Sequence, residues 1–189
     1  MQVKQTDFPG LLVLEPRVFR DERGFFLETY SKRAFAEAGI SCEFVQDNHA
    51  FSREAGVLRG FHFQRPPAAQ AKLVWVTAGA VLDVVIDLRK GSPTFGRTYG
   101  IELRPENFTR MFIPKGFGHA YVTLVPDTEF MYKVDAPYTP ECDSGIAWND
   151  PDIGMDWESL LSGRSPILSE KDRAQPAFAD FESPFIYEE

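Results

Sequence analysis

Residues 57–72 read V-L-R-G-F-H-F-Q-R-P-P-A-A-Q-A-K. They describe a strand, a Pro-rich loop and the start of a second strand, and they carry Arg59, His62, Gln64 and Lys72 among apolar neighbours. Side chains alternate across a strand, so Arg59 and Phe61 are expected on one face and Gly60, His62 and Gln64 on the other. A polar series inside an apolar β segment is costly unless it is hydrogen-bonded or lines a pocket. This stretch therefore raises the question that the rest of the chain has to answer.

Outward from it, the chain continues as strands and turns. K-L-V-W-V-T, A-G and A-V-L-D-V-V-I-D-L over 72–88 form a hairpin signal with Ala78-Gly79 at the turn. Further strands are predicted over 99–103, 110–113, 120–124 and 130–134, separated by Pro, Gly and Asp. Before the stretch lie a strand over 11–14, a D-E-R-G turn at 21–24 and an aromatic strand over 25–30. One helix follows, capped by Ser31, with Phe35 and Ala38 on one face and Gly39 as its stop. The tail from Pro137 is less periodic; Trp148, Ile153 and Trp157 are its expected anchors, with a helical turn near 157–161. Regular short strands with so little helix predict an all-β protein, a closed barrel or a two-sheet jelly roll, in one domain over 1–189 with a few short helices and a wrapped C-terminal tail.

Composition narrows the function. At 189 residues, 43% hydrophobic and 25% charged, the chain is an ordinary globular sequence, and its 17 Phe favour an aromatic-packed β interior. A net charge of -8 argues against nucleic acid, which needs a basic surface, but leaves room for a small anion on a local cationic cluster. Cys42 and Cys142 have no metal-like spacing and read as packed thiols of a reducing compartment. The N-terminus lacks an apolar signal core, and the most apolar segment is broken by Asp83 and Asp87. A cytoplasmic protein with no membrane partner is the expectation.

Three histidines, His49, His62 and His119, are candidates for acid–base work. A lone His is usually a bonded structural residue. His62, however, stands beside Arg59 and Lys72, and His119 ends the turn P-K-G-F-G-H at 114–119. That turn matches the P-x-G-x-x-H half-motif of the cupin barrels, whose other half binds metal through H-x-H and a later Glu. Here position 64 is Gln, and Lys72 brings a positive charge where a negative ligand would help. Two His and a Lys make a poor metal site, so no metal is expected. His62 is the candidate base, Tyr132 in E-F-M-Y-K the candidate acid, and Lys72 the candidate stabiliser of an enolate oxygen. Gln46, Asp47 and Asn48 read as turn residues, Arg23 and Glu28 as a charged turn cluster, and S-E-K-D at 169–172 as a short cap.

Taken together, the segments resemble the dTDP-4-dehydrorhamnose 3,5-epimerases of the cupin-like barrels. The matching pieces are D-E-R-G-F-F (21–26), F-V-Q-D-N-H (44–49), G-V-L-R-G-F-H-F-Q (56–64), A-Q-A-K-L-V (69–74), R-K-G-S-P-T-F-G (89–96), I-P-K-G-F-G-H (113–119), E-F-M-Y-K (129–133) and L-S-E-K-D (168–172), in family order. The resemblance implies epimerisation at carbons 3 and 5 of dTDP-4-dehydro-6-deoxy-D-glucose by acid–base steps through enolates, with no cofactor. It implies that His62 is the base, oriented by Asp172, that Tyr132 is the acid, and that Lys72 sits near the keto oxygen. Arg59, His119, Lys171 and Asp143 would bind substrate, with Arg23, Glu28, Gln46, Asp47 and Asn48 completing the nucleotide and sugar contacts. It also implies a homodimer whose N-terminal strands cross between subunits, so that Arg23 and Glu28 serve the neighbour's site.

The chain departs from the family pattern in places. Asp143 stands for a Glu, Ala71 for a Gly, Trp75 for an Arg, and F-G-H-A-Y at 117–121 for F-A-H-G-F. These leave the acid–base set intact and are expected to reshape the pocket. Related enzymes that epimerise one carbon or isomerise the keto group define the nearest alternative. A metal-dependent cupin and a sugar-nucleotide binding module are more distant ones.

Overall fold

The alternating segments fold into two facing antiparallel sheets, seen in a computed structural model that describes residues 1–188. One sheet has the order β1 (Gln2–Gln5), β2 (Leu12–Glu15), β10 (Arg110–Ile113), β7 (Lys72–Ala78), β12 (Thr128–Val134) and β5 (Gln46–Ser52). The other runs β13 (Asp143–Gly145), β6 (Leu58–Gln64), β11 (Phe117–Thr123), β8 (Val81–Asp87) and β9 (Thr98–Leu103). A separate hairpin joins β3 (Val18–Asp21) to β4 (Gly24–Leu27). Short helices α1 (Lys32–Glu37), α2 (Trp157–Leu160) and α3 (Glu170–Arg173) complete it. This is the jelly roll that the strand spacing predicts.

Hydrophobic burial is arranged in three layers. Between the sheets pack Val74, Val85, Met111, Phe117, Tyr121 and Phe130. On the outer face of the second sheet, Leu58, Phe61, Phe63, Val84 and Ile86 are covered by the tail through Ile146, Ile153 and Trp157. On the outer face of the first, Leu12, Leu14, Leu73 and Phe112 are covered by Phe35 and Ile40. Each fully buried Leu, Ile or Phe contributes roughly 1.5–3 kcal/mol. Strands covered on both faces read as apolar runs rather than as strict alternations, which is why 81–88 looked so hydrophobic. The predicted anchors of the tail are where they were expected, and so is α1, whose Ser31 cap accepts from Ala34 N.

Four expectations need correction. The 72–88 segment is not a hairpin, because β7 pairs with β10 and β12 whereas β8 pairs with β9 and β11. Gly79, at φ +78°, lies so close to Thr128 that an added Cβ would sit 2.7 Å from its Cα, and here the chain passes from one sheet to the other. Gln46, Asp47 and Asn48 are not turn residues; they lie in the edge strand β5, paired to Val134, Lys133 and Tyr132. The aromatic strand is also shorter than predicted, since β4 ends at Leu27.

The fourth correction concerns the deciding stretch itself. His62 pairs with His119 and Arg59 with Tyr121, so three steps along β6 match two along β11. The extra residue is a β-bulge, and it resets the parity of the strand. Leu58, Phe61 and Phe63 therefore join the outer core, while Arg59 and His62 both face the cavity between the sheets. Gly60 makes this possible. At φ +127°, it lies against β11 so closely that a Cβ would be 2.5 Å from Ala120 Cα and from the His119 carbonyl oxygen. Gly60→Ala is expected to destabilise the protein by at least about 2 kcal/mol in denaturant or thermal melts. Gly100→Ala on β9, where an added Cβ meets nothing nearer than 3.7 Å, is expected to leave stability nearly unchanged.

Candidate active site

The bulge, the facing sheets and the tail converge on a cavity of about 310 Å³. β6 supplies Arg59 and His62, β7 Lys72, and β11 His119 and Tyr121. β12 adds Phe130 and Tyr132, and the α3 segment closes one side with Ser169, Lys171 and Asp172. An adjoining hollow of about 180 Å³ shares His62, Lys72, Tyr132 and Lys171, and adds Gln64, Tyr138 and Asp143.

His62 is held from the tail. Its Nε2 lies 2.6 Å from Asp172 Oδ1, a close contact whose N–H direction is bent from the line to the oxygen. The same Asp172 oxygen accepts from Gly60 N at 3.2 Å, and Oδ2 accepts from the Ser169 hydroxyl at 2.5 Å. Burial alone would raise the Asp172 pKa. The close His62 ring and the hydrogen bonds from Ser169 and Gly60 outweigh it and hold the carboxyl down at about 2. A charged, fixed carboxylate therefore backs the imidazole throughout the working range. The predicted cap at 169–172 is the N-terminus of α3, with Ser169 as N-cap.

The neighbouring strands of the same sheet, β11 and β8, carry a second His–Asp pair. His119 Nε2 is 3.0 Å from both oxygens of Asp83. Burial pushes the His119 pKa down against the pull of Asp83, so this ring is neutral at pH 7. Asp83 was not singled out from the sequence, although one signal was available. A carboxylate within V-L-D-V-V-I-D is tolerable only if it has a buried partner. Ser169 was missed as well. The second aspartate of that run, Asp87, is bonded by Arg89, Ser92 and Thr94 away from the cavity.

Lys72 projects between the two pairs, its Nζ 3.5 Å from the His62 carbonyl oxygen. Burial pulls its ammonium down to about 8, against the opposing pull of Asp83 and Asp143. Burial likewise raises the Tyr132 hydroxyl, opposed by the Arg59 guanidinium, so the phenol keeps its proton at neutral pH. Lys171 pairs with Asp143, which also accepts from the Tyr138 hydroxyl at 2.9 Å. A carboxylate-backed imidazole, a protonated phenol and a buried cation around one cavity can remove a proton, return one and steady a developing oxyanion.

Gln64 has a tethering role. Its amide nitrogen donates to the Ala68 and Pro137 carbonyls, and its oxygen accepts from Thr139 N at 2.7 Å. Among the described residues, no group of three or more His, Cys, Asp or Glu is arranged to hold a metal.

The predicted residues divide in two. His62, Lys72, Tyr132, Asp172, Arg59, His119, Lys171 and Asp143 share the two hollows. Arg23, Glu28, Gln46, Asp47 and Asn48 line neither of them. Arg23 is exposed and paired with Asp21 on the β3–β4 hairpin, and Glu28 is exposed just beyond it. Gln46 bonds Asn48 and Tyr138 N, and Asp47 bonds Lys133. The departures divide in the same way. Ala71 and Trp75 pack in or against the outer core of the first sheet, Trp75 beneath the Arg110 guanidinium at 4.6 Å, so they do not reshape the cavity. Tyr121 lines the cavity and Asp143 the adjoining hollow.

The profile of the dTDP-4-dehydrorhamnose 3,5-epimerase family matches residues 5–180. The chain belongs to that family. The epimerase of Pseudomonas aeruginosa is 49% identical over 181 residues, covering 95% of this chain and 97% of that one. The epimerase fold extends to solved structures. The Bacillus anthracis enzyme, crystallised with TDP and PPi, superimposes with a TM-score of 0.89 at 47% identity, covering 94% and 99% of the two chains. The Legionella pneumophila enzyme, in complex with dTDP-4-keto-L-rhamnose, gives 0.92 at 39% identity over 100% and 99%. As in other family members, the chain is an isomerase built on β-strands, and no helix among its described residues is long and apolar enough to cross a membrane.

One electrostatic property of this site can be measured directly. NMR of isotopically methylated lysines is expected to show Lys72 titrating near about 8, charged below that midpoint and neutral above it. Asp83→Asn removes an opposing negative charge, so the midpoint is expected to fall further. A midpoint in the ordinary lysine range would refute the buried ammonium.

Proposed function

We propose that the chain epimerises carbons 3 and 5 of dTDP-4-dehydro-6-deoxy-D-glucose, giving dTDP-4-dehydro-L-rhamnose. The observation that carries this reading is the His62–Asp172 contact at 2.6 Å, facing the Tyr132 phenol across one cavity. The 4-keto group acidifies the hydrogens on both neighbouring carbons. With Nε2 turned to Asp172, the neutral His62 ring keeps its lone pair on Nδ1. His62 takes the proton from carbon 3, and the C–H electrons pass to the keto oxygen as an enolate, which the Lys72 ammonium stabilises. Tyr132 then protonates carbon 3 from the other face. Proton exchange with water restores both groups, and the same sequence at carbon 5 completes the reaction with no change of oxidation state. Arg59, His119, Lys171 and Asp143 bind the substrate, with the cationic side chains suited to its diphosphate.

A second copy of the chain completes the site. Phe25 and Phe26 on the β3–β4 hairpin are 59% and 70% exposed, an aromatic surface that favours a protein partner over water. In a homodimer with crossed hairpins, Arg23 and Glu28 reach the neighbour's substrate, joined by Gln46, Asp47 and Asn48 at the mouth.

Turnover in deuterium oxide is expected to label both carbons of the product, and label at a single carbon would mark a mono-epimerase. His62→Ala and Tyr132→Phe are each expected to lower kcat by about 10²–10⁴-fold, with melting temperature unchanged. Near-normal turnover by either variant would refute its role. For the dimer, His62→Ala and Arg23→Ala subunits are inactive alone and, after mixing and exchange, are expected to recover about a quarter of wild-type activity through hybrid dimers. The absence of rescue would show that Arg23 serves its own subunit.

A further inference from the structure

Asp83 is fully buried, and the steps above make no use of it. It sits on β8, two residues from Val85, which pairs with His119 on β11. Residues two apart share a face of a strand, so Asp83 and His119 rise from the same face of their sheet. Both Asp83 oxygens lie 3.0 Å from His119 Nε2, the symmetric approach of a carboxylate to a single N–H. Burial raises the Asp83 pKa, opposed by the His119 contact and by the Lys72 ammonium. Among the described residues, no group other than His119 bonds this carboxylate.

This contact decides what the other side of the ring can do. A carboxylate only accepts, so the one N–H proton of the neutral imidazole goes to Nε2, and Nδ1 keeps a bare lone pair. Nδ1 has no partner among the described residues, yet it is not sealed from solvent. The ring lines the cavity and is held against Phe130 of the facing sheet, with centroids 6.0 Å apart and planes 29° apart. In the strand register His119 lies directly opposite His62. An acceptor is thus presented beside the base, in the compartment of the reacting hexose. Such a group is matched only by a ligand that brings it a hydrogen-bond donor.

We propose that Asp83 is a positioning residue that keeps the His119 proton on Nε2, so that the bare Nδ1 accepts a hydrogen bond from a hydroxyl of the bound hexose; the inference rests on the epimerase reading above. Long-range proton–nitrogen NMR of protein carrying isotopically labelled histidine reports which ring nitrogen holds the proton. In the wild type, His119 is expected to show a protonated Nε2 and a bare Nδ1. Saturation with dTDP-glucose, a hexose nucleotide without the reactive ketone, is expected to shift the Nδ1 resonance towards that of a hydrogen-bonded nitrogen, and dTDP alone to leave it in place. A proton on Nδ1 in the free protein would overturn the assignment, and an Nδ1 resonance unmoved by dTDP-glucose, or moved equally by dTDP, would overturn the hexose contact. Asp83→Asn offers an amide that can accept or donate. It is expected to give mixed His119 tautomers and to bind dTDP-glucose about 3–10-fold more weakly in calorimetry, with dTDP bound equally well, as for the loss of one hydrogen bond. A folded variant with the wild-type tautomer and affinities would overturn the role of Asp83, and if the variant does not fold the wild-type spectra decide. Wild-type turnover of the keto substrate is measured separately, so an inert wild type would refute the epimerase reading while the tautomer spectrum still decides what Asp83 does.

Discussion

The close approach of Gly60 to β11 is the constraint on which the site depends. With no side chain at this position, the strand can bulge and bring Arg59 and His62 to the same face. The same glycine offers its N–H to Asp172. One backbone position thus sets the direction of the imidazole and also receives the carboxylate that orients it. Elsewhere in β6 the apolar side chains hold the strand to the outer core, so the bulge is braced from both sides.

The electrostatic design follows from enclosing charge between two sheets. Ionisable groups in such an interior either find partners or lose their charge. Asp172 takes the first course, with two hydrogen-bond donors and the His62 ring around it. His119 takes the second and stays neutral beside Asp83. Lys72 lies between these limits, its ammonium weakened by burial but sustained by two nearby aspartates. Such a cation gains more from a developing oxyanion than a solvated lysine does, because the surroundings screen the pair less.

Much of this was legible in the sequence, and the parts that were not share a cause. Strand spacing, turn residues and the Ser31 cap are local signals, and they describe the local structure well. The failures are non-local. Residues 72–88 look like a hairpin because their periodicity says nothing about partners, yet each strand is claimed by a different sheet. The parity of 57–64 is broken by a residue whose significance lies in its distance from Ala120. Asp83 reads as an interruption until β11 brings His119 beside it. Arg23 and Glu28 show the opposite limit: their motif is recognisable, but a single chain does not carry them to its own cavity.

The pin from Asp172 to His62 also has a consequence for how the enzyme is made. Strands of both sheets are complete by Gly145, whereas the carboxylate that orients the imidazole comes 27 residues later. Pairing of the strands alone leaves the His62 ring without the carboxylate contact that orients it. The orientation of the imidazole is therefore set only when the tail wraps and α3 docks, by a contact made outside the two sheets that form the cavity.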